Sequence, residues 1–540
     1  MYQFERGRNF TKLNKFLAQK GISQKFPKAV NAETVILPNE IPEEQLKGRE
    51  DLTNRVIITI DGETAKDFDD AVSVELLENG NYLLGVHIAD VSYYVKEGSA
   101  LDKEAFDRGT SIYLVDGVIP MLPEKLSNDL CSLQPDKLRL TLSCFMEVCK
   151  DGDIANYNIS ETVIKSSKRM TYTKLDEVLN GDMASRNESV SLLLVLELMR
   201  ELAMVLRDKR MRRGSMDFDL PEPKVITDKA GNITEITVNP NTAATKIIEE
   251  FMIAANETIA MHINKLGLPL VYRVHERPNS EKIQQLAVLV GNMGYKFKKG
   301  KQIRPKDMQK VLFEIKDTPQ QTIISTMMLR SLAKARYSDE NLGHFGLASE
   351  YYCHFTAPIR RYPDVIVHRI LHEWLQGKLD KKQVARFKKT VKEAATQSSE
   401  TEIFAVETER EYTGYKLCEY MEGQIGQTFN GYISSVTSFG FFVQLPSTIE
   451  GLVGMSNLDD DYYVYDQATL TLTGRHTGNK YVMGQHITVQ LIKVSTELRQ
   501  IDFIPVPKEQ KEEKKKNGTK TGRKGKRKYK TGRAKQKGKA

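Results

Sequence analysis

Four aspartates lie within ten positions of one another in the first part of the chain. Asp61, Asp67, Asp69 and Asp70 follow the apolar run from Val56 to Ile60. A β-rich run followed by a turn that contains glycine predicts a strand that delivers carboxylates into a loop. Carboxylates this close repel one another unless cations lie between them, and such hard oxygen ligands suit Mg²⁺, which typically binds one or two carboxylates together with substrate phosphates. The stretch therefore indicates metal-assisted hydrolysis of a phosphodiester.

An acidic loop is more commonly a solvated surface or a Ca²⁺ site, and these alternatives compete with the catalytic interpretation. The EF-hand pattern does not fit, because the frame that begins at Asp67 has Val72 at its sixth position, where the loop requires Gly. The aspartates alone do not decide between a surface loop and a catalytic loop, so the rest of the chain must.

Size and composition limit the class of protein. A chain of 540 residues with 40% hydrophobic residues predicts two to four globular domains. The chain contains no run of eighteen apolar residues, so no membrane span is predicted, and the first ten residues lack the apolar core of a signal peptide. The five cysteines show no CxxC spacing, which predicts free thiols in a cytoplasmic protein rather than disulfides or a zinc site; they are Cys131, Cys144, Cys149, Cys353 and Cys418.

The positive charge is concentrated at the C-terminal end. The chain carries a formal net charge of +8, yet residues 508–540 alone hold 16 Lys and Arg against 3 Glu. This segment is almost free of apolar residues, so it cannot bury a core and is predicted to be a disordered tail. Such a tail binds phosphates through counterion release without reading base sequence, which predicts RNA, and also ribosomes, as partners. A tail that serves only solubility is the alternative.

Hydrophobic periodicity and stop signals predict the elements around the acidic loop. Helices are predicted at 11–20, 191–213, 245–266, 320–337, 364–376 and 381–414, and strands at 56–60, 82–88, 112–115 and 140–148. From Gln424 to Phe503 the chain changes to short strands rich in Val, Phe, Ile and Gly.

Five long motifs follow one another in order. They are IDGETAKDFDDAV, GVHIADVSYYVKEGSALDKEAFDRGTSIYL, IPMLPEKLSNDLCSL, IIEEFMIAAN and HFTAPIRRYPDVIVHR. This succession, over residues 50–415, resembles the catalytic domain of the RNB family, that of ribonuclease II and ribonuclease R. The segment RGSMDFDLPEPKV and the basic tail are most similar to the ribonuclease R members.

The resemblance implies a hydrolytic, processive 3′→5′ exoribonuclease that releases nucleoside 5′-monophosphates with two Mg²⁺ ions, Mn²⁺ being the alternative metal. Asp61, Asp67 and Asp70 match the aspartates that hold the metal in the family. Asp69 matches the metal-site carboxylate whose loss stops cleavage but spares RNA binding. Arg360, in PIRRY, matches the arginine near the scissile phosphate, where a guanidinium offers a planar fork of donors.

The same resemblance implies three contacts to the RNA end. Tyr113 matches an aromatic that stacks on a base, and Phe218, in a looser alignment, matches its clamp partner. Glu249 matches a carboxylate beside the last nucleotides, where contact with a 2′-hydroxyl would favour RNA over DNA. Glu249 and Asn256 lie seven positions apart, on one face of the predicted helix. His87, by contrast, is predicted to be structural.

The stretch GQTFNGYISSVTSFGFFVQLPSTIEGLVGMSNL resembles an OB-fold RNA-binding domain. Phe439 and Phe442 match its exposed aromatics, whereas Phe441 alternates to the other side and is predicted to lie in the core. Gly454 stands where the family often has His, which removes one RNA contact.

The predicted fold class is an α+β catalytic domain of RNB type followed by an all-β OB-fold barrel and a disordered basic tail. The expected domains are a lead-in at 1–50, the catalytic domain at 51–415, the barrel at 424–504 and the tail at 508–540. The small N-terminal cold-shock barrels of family members have no counterpart in this sequence, which puts substrate anchoring and processivity in doubt. A fragment, a misassigned start and a naturally short form are the three explanations.

The function expected from the sequence is a monomeric enzyme that degrades single-stranded RNA and structured RNA with 3′ overhangs, in RNA decay and quality control. A non-catalytic RNA-binding protein and an endonuclease using the same metals are the alternatives. Carboxylates that repel a phosphate argue against a protein that only binds RNA. The size of the products distinguishes an exonuclease from an endonuclease.

Overall fold

The computed structural model describes residues 8–218, 222–228, 231–239, 242–297, 303–318, 320–467 and 469–506. The predicted disordered tail, 508–540, lies outside these residues. Across the described ranges, no helix is both long enough and apolar enough to span a bilayer.

The described part of the chain combines helices with two main β-structures. Its helices are α1 Arg8–Gln19, α2 Lys28–Ile36, α3 Val91–Tyr94, α4 Ala100–Arg108, α5 Tyr172–Leu179, α6 Met183–Glu188, α7 Leu193–Arg213, α8 Ala243–Lys265, α9 Ser280–Asn292, α10 Pro305–Ile315, α11 Gln321–Ser331, α12 Tyr362–Leu375 and α13 Lys381–Glu422. Its strands are β1 Glu50–Asp51, β2 Ile58–Asp61, β3 Asp70–Leu76, β4 Tyr82–Ala89, β5 Ile112–Leu114, β6 Gly117–Ile119, β7 Leu138–Val148, β8 Ile154–Lys165, β9 Lys168–Thr171, β10 Glu222–Thr227, β11 Ile233–Asn239, β12 Tyr272–Val274, β13 Arg336–Ser338, β14 Thr428–Thr437, β15 Gly440–Gln444, β16 Glu450–Gly454, β17 Tyr463–Asp466, β18 Thr471–Gly474, β19 Lys480–Val482, β20 His486–Ser495 and β21 Gln500–Pro505.

A seven-stranded mixed sheet forms the centre of the catalytic half, in the order β1-β8-β7-β4-β3-β2-β9. The β1–β8 and β2–β9 pairs are parallel and the other neighbours are antiparallel. Ile57, Ile58 and Ile60 are all buried, which explains why this stretch is mostly apolar rather than alternating. Helices α7, α8 and α12 pack on the sheet. Because β2 and β3 pair directly, the acidic loop connects two adjacent core strands.

The 42-residue helix α13 runs from the catalytic core to the second β-structure. Its N-terminal part places Phe387 and Val391 in the core of the central sheet. Its C-terminal part places Cys418 and Met421 in the core of a closed five-stranded barrel, β14-β15-β16-β21-β20. The predicted fold class, an α+β domain followed by an OB barrel, is confirmed for the described residues.

Two predicted helix limits are wrong, and tertiary contacts explain both. Helix α13 continues past Gly414 to Glu422, because burying Cys418 and Met421 in the barrel outweighs the roughly 1 kcal/mol cost of a glycine inside a helix. The helix predicted at 320–337 ends at Ser331, because Tyr337 pairs instead with Arg273 in a two-stranded sheet. The helix before Gly214 ends as predicted, and this glycine has a left-handed φ of 111°.

Candidate active site

All four predicted metal-binding aspartates line one cavity of about 540 Å³. Asp61 ends β2 and Asp70 begins β3, so both are held by the central sheet, and Asp67 and Asp69 lie on the loop between them. Of the other predicted site residues, Tyr113, Glu249 and Arg360 line the same cavity. The sheet, β5, α8 and the turn before α12 therefore meet at one place.

Asp69 is the most constrained of the four carboxylates. It is buried, and its Oδ1 accepts a hydrogen bond of 2.8 Å from the backbone N–H of Ile359. Its Oδ2 lies 3.8 Å from Nε of Arg360, and its backbone carbonyl accepts a 2.9 Å bond from the N–H of Ala89 on β4. Burial raises the pKa of Asp69 well above its ordinary value, although Arg360 opposes this shift. The turn that carries Arg360 and the metal loop are thus joined through Asp69.

The pKa values of the neighbouring carboxylates are raised as well. Burial, followed by the charges of Asp70 and Asp67, raises the pKa of Asp61 to about 8. Burial raises the pKa of Asp70 to about 6 against the opposing charge of Arg360. Oδ2 of Asp61 is buried and has no hydrogen-bond partner. These carboxylates are therefore costly to ionise together without a cation.

A hard divalent cation fits this donor set. No three His, Cys, Asp or Glu side chains of the described ranges converge as a complete metal cage. Mg²⁺ does not require such a cage, because it is usually held by one or two carboxylates, several waters and substrate phosphates. The unpaired oxygen of Asp61 and the raised pKa values of Asp61 and Asp70 are the observations in favour of the fit.

The turn that carries Arg360 is built around the buried carboxylate of Asp364. Its Oδ1 accepts the N–H of Ala357 and one Nη2–H of Arg361, each at 2.7 Å. The carbonyl of Arg360 accepts the N–H of Ser111 at 3.1 Å, which ties the turn to the segment leading into β5. The Arg360 side chain remains 43% exposed and lines the cavity. A fixed backbone with a partly exposed guanidinium suits the binding of a phosphate.

Tyr113 and Glu249 approach the cavity from different elements. Tyr113, on β5, is 42% exposed, and its backbone N–H donates to Oε1 of Glu409 on α13 at 2.6 Å. Glu249, on α8, lies 3.4 Å from Nη2 of Arg210, and burial raises its pKa. An exposed ring and a carboxylate at the rim can contact a base and a sugar, respectively.

Phe218 is not brought to this cavity. It packs, partly buried, against the apolar cluster that contains Met216 and the buried faces of α9, α10 and α11. The predicted clamp between Phe218 and Tyr113 is therefore not formed among the described residues. The physical reason is that an aromatic ring gains more from this apolar cluster than from a wet cavity.

Among the lining residues to which the sequence assigned no role are Tyr172, Tyr352 and His354. Tyr172 begins α5 directly after β9, and the other two precede the PIRRY turn. The local pattern of Tyr172 and Tyr352 did not distinguish them from core aromatics, whereas His354 begins the motif HFTAPIRRYPDVIVHR but was assigned no role. Asn256 also lines the cavity, and its Oδ1 accepts the N–H of Phe355 at 2.9 Å. His87, as predicted, is structural, buried between the hydroxyls of two serines.

On the barrel, Phe439 is 56% exposed and its ring meets that of Phe442 edge to face at 6.1 Å. Phe441 is fully buried and stacks on Tyr481 at 4.5 Å, as predicted for the core side of the strand, whereas Phe442 on the other side is half-buried rather than fully exposed. Gly454 ends β16. The two neighbouring rings form an apolar surface on which bases can stack.

Comparisons with known proteins agree with this arrangement. Residues 49–377 match the RNB domain and residues 422–504 match the S1 RNA binding domain. Ribonuclease R 1 of Lactococcus lactis is 44% identical over 494 residues, covering 91% of this chain and 60% of the relative. Ribonuclease R of Thermotoga maritima is 45% identical over 489 residues, covering 90% of this chain and 69% of the relative.

Solved structures of Mycoplasma genitalium RNase R are similar in fold. The apo form and the complex with ribose methylated single-stranded RNA both give a TM-score of 0.87 at 30% identity, covering 92% of this chain and 78% of the other. The same protein has been solved in complex with double-stranded RNA. By its matching domains and its identity to ribonuclease R proteins, this chain belongs to the RNB family of ribonucleases.

Proposed function

We propose that this chain is a divalent-metal-dependent exoribonuclease that degrades RNA processively from the 3′ end and releases nucleoside 5′-monophosphates. One observation carries the proposal: four aspartates, of which Asp61 has a buried and unpaired oxygen, share a cavity with Arg360, a partly exposed guanidinium on an anchored turn. A purely RNA-binding surface would place cations, and not a group of carboxylates, beside the phosphates.

Asp61, Asp67, Asp69 and Asp70 are proposed to hold two Mg²⁺ ions, with Mn²⁺ as the alternative. The chemistry that such ions supply when bound is the activation of a water molecule and the neutralisation of charge on the phosphoryl and departing oxygens. Arg360 then donates to the non-bridging oxygens of the scissile phosphate. Asp69 holds the turn of Arg360 through Ile359 N–H and orients the attacking water with its second oxygen.

The RNA end is proposed to lie between Tyr113 and Glu249. Tyr113 stacks on a base near the 3′ end, since stacking tolerates every base. Glu249 accepts a hydrogen bond from a ribose 2′-hydroxyl, which favours RNA over DNA. Phe218 has no role in this proposal, because its ring packs in an apolar cluster.

Further parts of the chain are proposed to select the substrate. Phe439 and Phe442 hold single-stranded RNA on the barrel, and the basic segment 508–540 adds sequence-independent attraction to RNA and to ribosomes. The Mycoplasma relative solved with single- and double-stranded RNA supports RNA as the ligand and structured RNA with a 3′ overhang as one substrate. We propose a role in RNA decay and quality control, with the chain acting as a monomer.

The domain limits 1–50, 51–415, 424–504 and 508–540 remain our proposal for the organisation of the chain. Helix α13 supports extending the catalytic domain past residue 377, because Val391 and Ala394 lie in the core of the central sheet. The five free cysteines support a cytoplasmic location, since thiols persist in a reducing compartment.

The test is to incubate the purified chain with 5′-labelled single-stranded RNA, with Mg²⁺ or with EDTA. We expect a ladder that shortens stepwise from the 3′ end, is lost in EDTA and is lost in Asp69→Asn, whereas RNA binding persists. Asp136→Asn is the matched control, because Asp136 is 81% exposed and lies outside the cavity. Internal fragments would replace the proposal with an endonuclease. Intact but bound RNA would replace it with a non-catalytic RNA-binding protein.

A further inference from the structure

His354 lies in the same cavity but has no role in the mechanism above. It directly precedes Phe355 and the PIRRY turn, and its Nδ1 is 2.9 Å from the hydroxyl oxygen of Tyr337. Within the described residues, its Nε2 makes no hydrogen bond and is not among the buried unpaired atoms. The second ring nitrogen of His354 is therefore left open on the cavity side.

The contact with Tyr337 determines which nitrogen carries the proton. The hydroxyl of Tyr337 has no other hydrogen-bond partner among the described residues, and the side chain is buried. If Nδ1 of His354 donated, the buried hydroxyl proton of Tyr337 would remain unpaired, which costs about 1–3 kcal/mol. If the hydroxyl donates to Nδ1, both groups are satisfied and the hydrogen of the neutral ring sits on Nε2. The open nitrogen is thus a donor.

Positive charge surrounds this donor. Burial and the charges of Arg361, Arg273 and Arg360 hold the pKa of His354 well below its ordinary value, so the ring is neutral at physiological pH. Burial, the largest cause, disfavours any charge, but the three guanidinium charges favour an anion near the ring. Each of these arginines also has a carboxylate partner, since Arg361 contacts Asp364 at 2.7 Å, Arg273 contacts Glu402 at 2.6 Å and Arg360 lies 3.8 Å from Asp69.

We propose that His354 binds the RNA backbone, donating its Nε2–H to a non-bridging oxygen of a phosphate in the cavity. This inference rests on the proposed function, because it takes RNA as the ligand. A neutral ring serves this purpose because it adds a directed hydrogen bond without burying another charge. Tyr337 is then a positioning residue, which fixes the ring and its tautomer from behind.

Binding in EDTA tests the inference without hydrolysis. We expect His354→Phe, which keeps the ring but removes the donor, to weaken the binding of single-stranded RNA about ten-fold or more, as for a hydrogen bond to a charged group. His354→Gln presents an amide N–H near the same point and should retain part of the affinity. His344→Phe is the matched control, because His344 is a neighbouring neutral histidine that does not line the cavity.

A cycle with modified RNA identifies the phosphate. Single linkages near the 3′ end are replaced, one at a time, by neutral methylphosphonates. At one linkage the replacement should weaken RNA binding to the natural chain but cause no further loss of affinity in His354→Phe. Tyr337→Phe should shift affinity in the same direction but less. Equal affinity of His354→Phe and the natural chain, or full additivity at every linkage, would overturn the inference. If His354→Phe shows no cooperative melting, the same binding measurements are made with His354→Gln, and His344→Gln is then the control.

The two proposals fail separately. A chain that releases mononucleotides while His354→Phe binds RNA normally refutes only the role of His354. A chain that binds RNA without cleaving it refutes the exonuclease, and the cycle still decides whether His354 contacts a phosphate.

Discussion

The buried ion pair of Asp90 and His372 should make the folded chain less stable at alkaline pH. Asp90 follows β4 and His372 lies on α12, with 2.8 Å between Oδ1 and Nε2. Nδ1 of His372 contacts Glu161, and Arg49 closes the network at 2.5 Å from Oδ2 of Asp90. Burial lowers the pKa of His372, but Asp90 and Glu161 outweigh it and raise the pKa to about 9. The same ion pair lowers the pKa of Asp90, so its energy is counted once.

The direction and size follow from proton linkage. Because the pKa of His372 is raised on folding, its contribution is complete below the ordinary value of 6.5 and is lost as the pH rises to about 9. At about 1.4 kcal/mol per pKa unit, the free energy of unfolding should fall by roughly 3 kcal/mol across this window. The carboxylates with raised pKa values also contribute there, so the natural chain must be compared with a variant that lacks only the imidazole.

The assay is urea unfolding in EDTA at several pH values between about 6 and 9.5. We expect His372→Gln to be less stable than the natural chain at low pH, and the two to converge as the pH rises. His476→Gln is the control, because His476 is 80% exposed and a surface ion pair contributes little. A difference between the natural chain and His372→Gln that stays constant with pH, or that grows with pH, would refute the reasoning.

Three further predictions concern the metal, the barrel and the tail. The pKa values of Asp61 and Asp70 are raised to about 8 and about 6, so Mg²⁺ should bind more tightly at higher pH and release protons on binding. Calorimetry in two buffers measures the number of protons released, and binding without proton release would contradict the assignment. Phe439→Ala should weaken RNA binding by about 1–3 kcal/mol without lowering stability, whereas Phe441→Ala should cost about 3–5 kcal/mol of stability; equal effects on both properties would argue against a stacking surface. Deleting 508–540 should make the dependence of RNA affinity on salt less steep and impair structured substrates most, and an unchanged slope would exclude a role of the tail in binding.

Much of the site could be predicted because its reactive groups lie close together in short segments of the sequence. The four aspartates lie within ten positions, so a single strand and loop can deliver them to one place whatever the rest of the fold does. The apolar run before them predicted a strand at 56–60, and β2 covers 58–61. The opposite sides taken by Phe441 and Phe442 likewise needed only the two-residue period of a strand, whereas Phe439 lies just before that strand.

Other features depend on pairs of residues that are far apart in sequence. Helix α13 continues past Gly414 because Cys418 and Met421 are buried in the barrel core. Local helix propensity does not reveal this burial. The motif around Phe218 predicted that its ring clamps a base, yet the ring packs against an apolar cluster formed by α9, α10 and α11.

The sequence by itself determined which groups could hold a metal and a phosphate, because acidity, charge and short spacing are properties of the residues. The tertiary structure alone decided that Ile359 binds Asp69, across 290 positions, and that the hydroxyl of Tyr337 lies 2.9 Å from Nδ1 of His354. Burial and the field of distant arginines set the protonation states of these groups, and both arise only when the chain has folded.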